Sequence, residues 1–177
     1  MKTICLIPAR GGSKRIPRKN IKLFHGQPMI SWSINCALES RIFDNIYVST
    51  DDEEIADISH SYGAEIPFIR PREIANDFAN DDDVRNHFIK WCKDNKIEFD
   101  ILCYLYATAP FITSKTLKEC KELLIEKNAY KVFTITKYAF SPFRSLKKNE
   151  DQTISYALPK YKKKRSQDLP ELFHDAG

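Results

Sequence analysis

The chain has 177 residues, 42% of them hydrophobic and 29% charged, with a formal net charge of +4. That length allows one domain with a sizeable core, and the composition is that of an ordinary soluble globular protein. No apolar run approaches the roughly 18 residues a membrane helix needs, and Met1-Lys2-Thr3 enters a strand pattern without a signal-peptide signature, so a cytoplasmic protein with no membrane partner is expected.

The charge is unevenly placed. Residues 1–38 hold seven Lys/Arg and no Asp or Glu, whereas residues 51–57 hold five acids. A second basic run is Lys160-Tyr161-Lys162-Lys163-Lys164-Arg165. This polarity predicts an anionic ligand near the front of the chain. The five cysteines (Cys5, Cys36, Cys92, Cys103, Cys120) are scattered in apolar surroundings with no Cys-x-x-Cys pair. They read as small buried hydrophobes, not as disulfides or metal ligands.

Taken in order, Ile4-Cys5-Leu6-Ile7 predicts a buried parallel strand. The stretch Pro8-Ala9-Arg10-Gly11-Gly12-Ser13-Lys14-Arg15-Ile16-Pro17-Arg18-Lys19-Asn20 follows. It carries five cations and no acid, and its paired glycines allow a tight turn that brings backbone N–H groups near an anion. On residues alone, a solvated basic turn and a polyphosphate loop both remain open. Pro28 starts a helix over about residues 28–39. Asn45 to Ser49 is a strand. Thr50 with Glu53 predicts a capping box for the next helix, which stops at Gly63. That leaves the acids at 51–57 as cap and solvated face.

Residues 65–69 form a short strand or extended connection. Arg70 precedes Pro71 and is held extended. Asp81 to Asp94 is an amphipathic helix, in which His87 reads as structural. Residues 99–106 are a central strand, ending in Ala107-Thr108-Ala109-Pro110. A helix begins near Ser114. Tyr130 to Thr136 predicts another strand, and Thr153 to Leu158 an antiparallel edge or hairpin strand. Alternating strands and helices predict a three-layer α/β fold with a mainly parallel sheet, in one domain over residues 1–177.

The loop resembles the signature loop of the CMP-sialate synthetase group of cytidylyltransferases at Ile7-Pro8-Ala9-Arg10, Ser13-Lys14 and Pro17-x-Lys19-Asn20. Arg70-Pro71-x-Glu73-Ile74-Ala75-x-Asp77 resembles a second family segment. Leu105-Tyr106-Ala107-Thr108-Ala109-Pro110 resembles a third, with departures at Tyr106 (Gln in sialate enzymes) and Ile112 (Arg). Gln167-Asp168-Leu169-Pro170 is shared with the group, and His174-Asp175-Ala176-Gly177 looks like its pseudaminate-activating branch.

This resemblance implies a Rossmann-like nucleotide-diphospho-sugar transferase fold. It implies an enzyme joining CTP to an acidic nine-carbon sugar, giving CMP-sugar and pyrophosphate for surface glycan or flagellin glycosylation. N-acetylneuraminate, legionaminate and a deoxy-octulosonate are the alternative sugars. Implied catalytic residues are Arg10 and Lys19. The nucleotide would meet these two with Gly11, Gly12, Ser13, Lys14, Asn20, Arg70 and Asp77. The sugar would meet Tyr106, Thr108, Arg144, Gln167 and Asp175. Mg²⁺ is the implied cofactor, with no ligand assigned within residues 1–177, and the full-length form is expected to be a homodimer. Family members continue through a further strand, a helix and an Asp-bearing segment, so an incomplete C-terminus is expected. A non-catalytic CTP-binding fragment is therefore one rival reading. A nucleic-acid surface is another, disfavoured because the basic run at 160–165 lacks interleaved aromatic platforms.

Overall fold

Strand β1 (Thr3–Pro8) is apolar at successive positions because both of its faces are covered. In the computed structural model, which describes residues 1–176, Cys5 and Ile7 face one core cluster and Ile4 and Leu6 the other. The first cluster includes Ile30, Ile34 and Ala37 of α1 (Met29–Ser40), Val48 of β4 (Asn45–Ser49) and Ile55 of α2 (Glu53–Ser61). The second includes Tyr47 of β4 with Phe88 and Cys92 of α3 (Asp81–Asp94). Two short strands, β2 (Leu23–Phe24) and β3 (Gln27–Pro28), form a tight antiparallel ribbon ahead of α1.

The sheet runs β4-β1-β5, with β5 at Ile101–Tyr104, and both pairings are parallel. Cys5 lies opposite Ile46 on one side and Cys103 on the other. Helix α4 (Ser114–Glu126) packs beside α1. Helices thus cover both faces of a parallel sheet, the expected three-layer α/β arrangement. These elements make one compact unit, Met1–Tyr130; a second begins at Lys131.

Several local expectations change. Helix α2 is capped by Asp52, whose carboxylate accepts from the Ile55 N–H at 3.0 Å; Thr50 instead accepts from the Asp52 N–H at 3.2 Å. A carboxylate one residue before the helix is the better-placed acceptor, so the Thr50–Glu53 capping box does not form. The α3 cap is a true capping box, made by Asn80 and Asp83. Gly63 takes φ +94° after α2, as its stop position requires. Residues 65–69 form no named strand; they pair with the sheet through isolated parallel bridges, Tyr47 to Glu65 and Thr50 to Ile69, while Ile66 and Phe68 pack on the two core clusters. Strand β5 ends at Tyr104, so Tyr106 lies beyond it. Among the described residues β5 pairs with β1 alone, so it is an edge strand of the sheet and not the central one its apolar run predicts.

The strand expected at 130–136 does not extend the parallel sheet. Within the second unit, β6 (Ile135–Lys137) pairs antiparallel with β9 (Phe173–Asp175), and all its residues are exposed. Its apolar run lacks covering elements on both faces, which a parallel strand needs. The hairpin expectation holds: β7 (Leu146–Lys148) pairs antiparallel with β8 (Ile154–Tyr156). All five cysteines are free thiols, and burial pushes Cys5 and Cys36 up from the usual thiol range.

Candidate active site

From β1 the chain passes to β4 on one side and later to β5 on the other. Open α/β sheets bind ligands at the carboxyl end of such a switch. A cavity of about 650 Å³ lies there, walled by the 8–20 loop, the 70–84 segment and residues 104–108. Of the residues the resemblance implies, Arg10, Ser13, Lys14, Lys19, Asn20, Arg70, Asp77, Tyr106 and Thr108 line it.

The loop is held from beneath by the acids of the β4–α2 turn. The Gly11 N–H, expected to face a ligand anion, donates to Asp51 Oδ1 at 3.0 Å. Arg18 is committed too: it pairs with Asp52 and Glu54, and its Nη2 lies 3.0 Å from Asp52 Oδ1. That contact holds the Asp52 carboxyl below the usual carboxylate range. The acids at 51–54 are therefore more than cap and solvated face. Asn20 is buried and donates from Nδ2 to the Arg10 carbonyl at 2.9 Å, fixing the loop's entry to its exit.

This arrangement explains Gly11. A Cβ there would sit 2.6 Å from Asp52 Oδ2 and 3.0 Å from Asp52 Cβ. Gly11→Ala is expected to cost about 1–3 kcal/mol by overpacking and to weaken nucleotide binding by displacing the loop. Thermal melting of the variant checks the first part. An unchanged melt would place the 51–54 turn elsewhere.

Arg10 and Lys14 converge on Asp77. Arg10 Nη1 lies 3.1 Å from Asp77 Oδ1 and donates to the Asn76 carbonyl at 2.9 Å. Lys14 pairs with the other carboxylate oxygen. Lys14 and then Arg10 hold the Asp77 carboxyl below its ordinary range. In this structure Asp77 sits on cations that a phosphate would need.

Arg70 is not a surface arginine: it is 4% exposed. Its Nε donates to Ser49 Oγ at 3.0 Å and its Nη2 to the Ser49 carbonyl. Burial lowers its pKa, and the charge of Asp51 is the strongest influence opposing this. A buried, oriented guanidinium at a cavity wall is suited to recognition of planar acceptors. His87, read as structural, stands edge-on to the Phe68 ring at 4.5 Å, and burial lowers its pKa.

Sequence reasoning missed Asp81 and Tyr104. Tyr104 Oη donates to Asp81 Oδ1 at 3.0 Å, and Tyr106 Oη to Asp81 Oδ2 at 2.5 Å. Burial, followed by the Asp81 charge, pushes the Tyr104 phenol far above its usual range.

Three implied sugar residues belong to the second unit. Arg144 donates to the carbonyls of Lys162 (3.4 Å) and Lys164 (2.8 Å). Gln167 lies in a 3₁₀ turn, and Asp175 stands opposite Ile135 in the β6–β9 ladder. The basic run packs on its own aromatics, with Lys160 and Lys164 Nζ 5.0 and 5.6 Å from the Tyr161 ring centroid. Among the described residues no cluster of three or more His, Cys, Asp or Glu side chains could hold a metal. No helix among them is long and apolar enough to cross a membrane.

A cytidylyltransferase family model matches residues 4–174. The pseudaminic acid cytidylyltransferase of Campylobacter jejuni is 42% identical over 177 residues, covering 100% of this chain and 76% of that protein. The CMP-N,N'-diacetyllegionaminic acid synthase of Legionella pneumophila is 35% identical over 123 residues, 70% of this chain and 53% of that one. Among solved structures, CMP:2-keto-3-deoxy-manno-octonic acid synthetase complexed with CTP shares the fold, with TM-score 0.70 and 21% identity over 100% of this chain and 72% of its own. The chain belongs to the cytidylyltransferase family.

Proposed function

We propose that this member of the cytidylyltransferase family activates pseudaminic acid with CTP, giving the CMP-sugar and pyrophosphate. The whole-chain similarity to a pseudaminic acid cytidylyltransferase carries this reading. The anomeric hydroxyl oxygen of the sugar forms a bond to the α-phosphorus, its proton passing to solvent, as the bond from that phosphorus to the pyrophosphate oxygen breaks. Such transfers depend mainly on positioning and charge neutralisation. Arg10, Lys14 and Lys19 would neutralise the triphosphate and the leaving pyrophosphate, while Tyr106 and Thr108 would face the sugar.

Mg²⁺ is proposed as cofactor, arriving with the triphosphate. The cavity does not present a carboxylate cage for it, because Asp77 is paired with Arg10 and Lys14 and Asp81 with two phenols. An octahedral Mg²⁺ keeps waters and phosphate oxygens as most of its ligands. A cytoplasmic location agrees with the supply of CTP.

The test is pyrophosphate release from CTP with purified pseudaminic, legionaminic, N-acetylneuraminic and deoxy-octulosonic acids. Pseudaminic acid is expected to give the highest kcat/KM. A clear preference for another sugar would overturn the assignment.

Arg70 is proposed to read the base, since a guanidinium fork matches the O2 and N3 acceptors of cytosine. Arg70→Ala is expected to weaken CTP binding by about 1.5–3 kcal/mol, the range for hydrogen bonds to a charged group, and UTP binding by less. Equal losses for the two nucleotides would place base reading elsewhere.

We also propose a homodimer, whose interface would cover exposed apolar side chains such as Phe140, Ile154 and Leu146 of the second unit, 89%, 67% and 57% exposed. Sedimentation is expected to give twice the chain mass, and a monomer at micromolar concentration would refute this.

A further inference from the structure

The cavity has walls of opposite character. One presents Arg10, Lys14 and Lys19; the other presents Asp81 with Tyr104 and Tyr106. Asp81 forms no ion pair among the described residues; its two oxygens are approached instead by two phenolic donors, at 3.0 and 2.5 Å. The phenolic protons are thereby committed to the carboxylate. The Arg85 guanidinium lies over the Tyr104 ring, its Cζ 5.2 Å from the centroid. A carboxylate has about four acceptor sites, and the phenols fill one on each oxygen. What this group offers a ligand is acceptor capacity. It repels phosphate and rewards a neutral donor.

We propose that Asp81 is a specificity-determining residue of this cavity, accepting a hydrogen bond from a neutral N–H or O–H group of a bound substrate. Two groups supply that chemistry: the exocyclic amino group of cytosine, and an amide or hydroxyl of the sugar. Asp81 lines the same cavity as the proposed base reader Arg70, and its bond to Tyr106 places it beside the proposed sugar wall. In either case the polarity of the cavity orients the reactants. Anionic groups turn toward Arg10, Lys14 and Lys19, and a donor turns toward Asp81. A site built to accept a hydrogen bond rejects an analogue that lacks the donor, because its polar group is then left unpaired. The inference rests on the proposed CTP-dependent reaction.

The experiment is steady-state kinetics of wild type, Asp81→Asn and Asp81→Glu, with CTP, UTP and pseudaminic acid, alongside thermal melting. Asp81→Asn keeps the side-chain shape but turns one acceptor into a donor. It is expected to raise the KM of one substrate at least tenfold, leaving the other within twofold and kcat within threefold. Asp81→Glu is expected to restore part of the loss. A rise confined to CTP, with weakened discrimination against UTP, identifies the cytosine amine; a rise confined to the sugar identifies a sugar donor. Both KM values unchanged, or both rising together with a lowered melting temperature, would overturn the inference and leave Asp81 a structural anchor for the tyrosines. Wild type that turned over no pseudaminic acid with CTP would overturn the functional reading itself. Wild-type turnover with an indifferent Asp81→Asn would overturn this inference alone.

Discussion

Phe88→Ala is expected to destabilise the protein by about 3–5 kcal/mol, the usual cost of emptying a buried aromatic site. The Phe88 ring is fully buried against Ile4, Leu6 and Tyr47. Its centroid lies 5.3 Å from that of Tyr47, and 6.0 Å from Trp91 in a stacked arrangement. These rings form the seam between α3 and the sheet. Total stability of a domain is about 5–15 kcal/mol, so this one substitution removes a large fraction of it. The consequence reaches the cavity, because the first turn of α3 carries Asp81. Urea titration of the purified variant measures the loss, and CTP binding is expected to fall with it. A loss below about 1 kcal/mol, well under the range for such truncations, would mean that α3 does not pack on the sheet through Phe88.

The sequence made the scaffold readable wherever burial imposes a period. The strand at 3–8 carries the unbroken apolar run Ile4-Cys5-Leu6-Ile7 because it is central, and α3 shows Val84, Phe88 and Cys92 on one stripe. The loop after β1 was legible as a cation-rich, glycine-bearing turn at a strand's carboxyl end. Its internal pairing was not. Arg18 counts as a loop cation in the sequence, yet it is spent on Asp52 and Glu54, 34 and 36 positions away. Gly11 reads as an anion-facing amide, yet its N–H meets Asp51. Such pairings depend on how β4 lies beside β1, which no local spacing encodes. Asp81 was hidden for another reason. Asp81-Asp82-Asp83 opens a helix, where acids are expected for the dipole alone, and only the fold shows that the first of them turns to two phenols. One signal was available: Tyr104 and Tyr106 are two positions apart, the spacing that puts side chains on one face of an extended chain.

Arg10→Ala and Lys19→Ala are each expected to weaken CTP binding by about 1.5–3 kcal/mol, roughly ten- to 150-fold in Kd, the range for charge-assisted hydrogen bonds to phosphate. The structure adds a condition to this expectation. Asp77 already contacts Arg10 and Lys14, so a triphosphate must displace an internal anion before it gains those cations. That exchange is favourable because Asp77 is exposed and its ion pairs are screened by water, whereas a triphosphate brings several charges to the same cations. Removing the competing charge should act in the opposite direction: Asp77→Asn is expected to tighten CTP binding slightly. Lys19 lines the cavity without joining the Asp77 pairing, so its loss should be the same in the Asp77→Asn background. The loss at Arg10 should differ between backgrounds, because neighbouring groups that share a partner are not additive. Calorimetric titration of CTP into wild type, the three single variants and the two double variants reads out each value. Unchanged affinity in both Arg10→Ala and Lys19→Ala would refute the phosphate-loop assignment. Weaker binding in Asp77→Asn would show that Asp77 organises Arg10 and Lys14 for the nucleotide instead of competing with it.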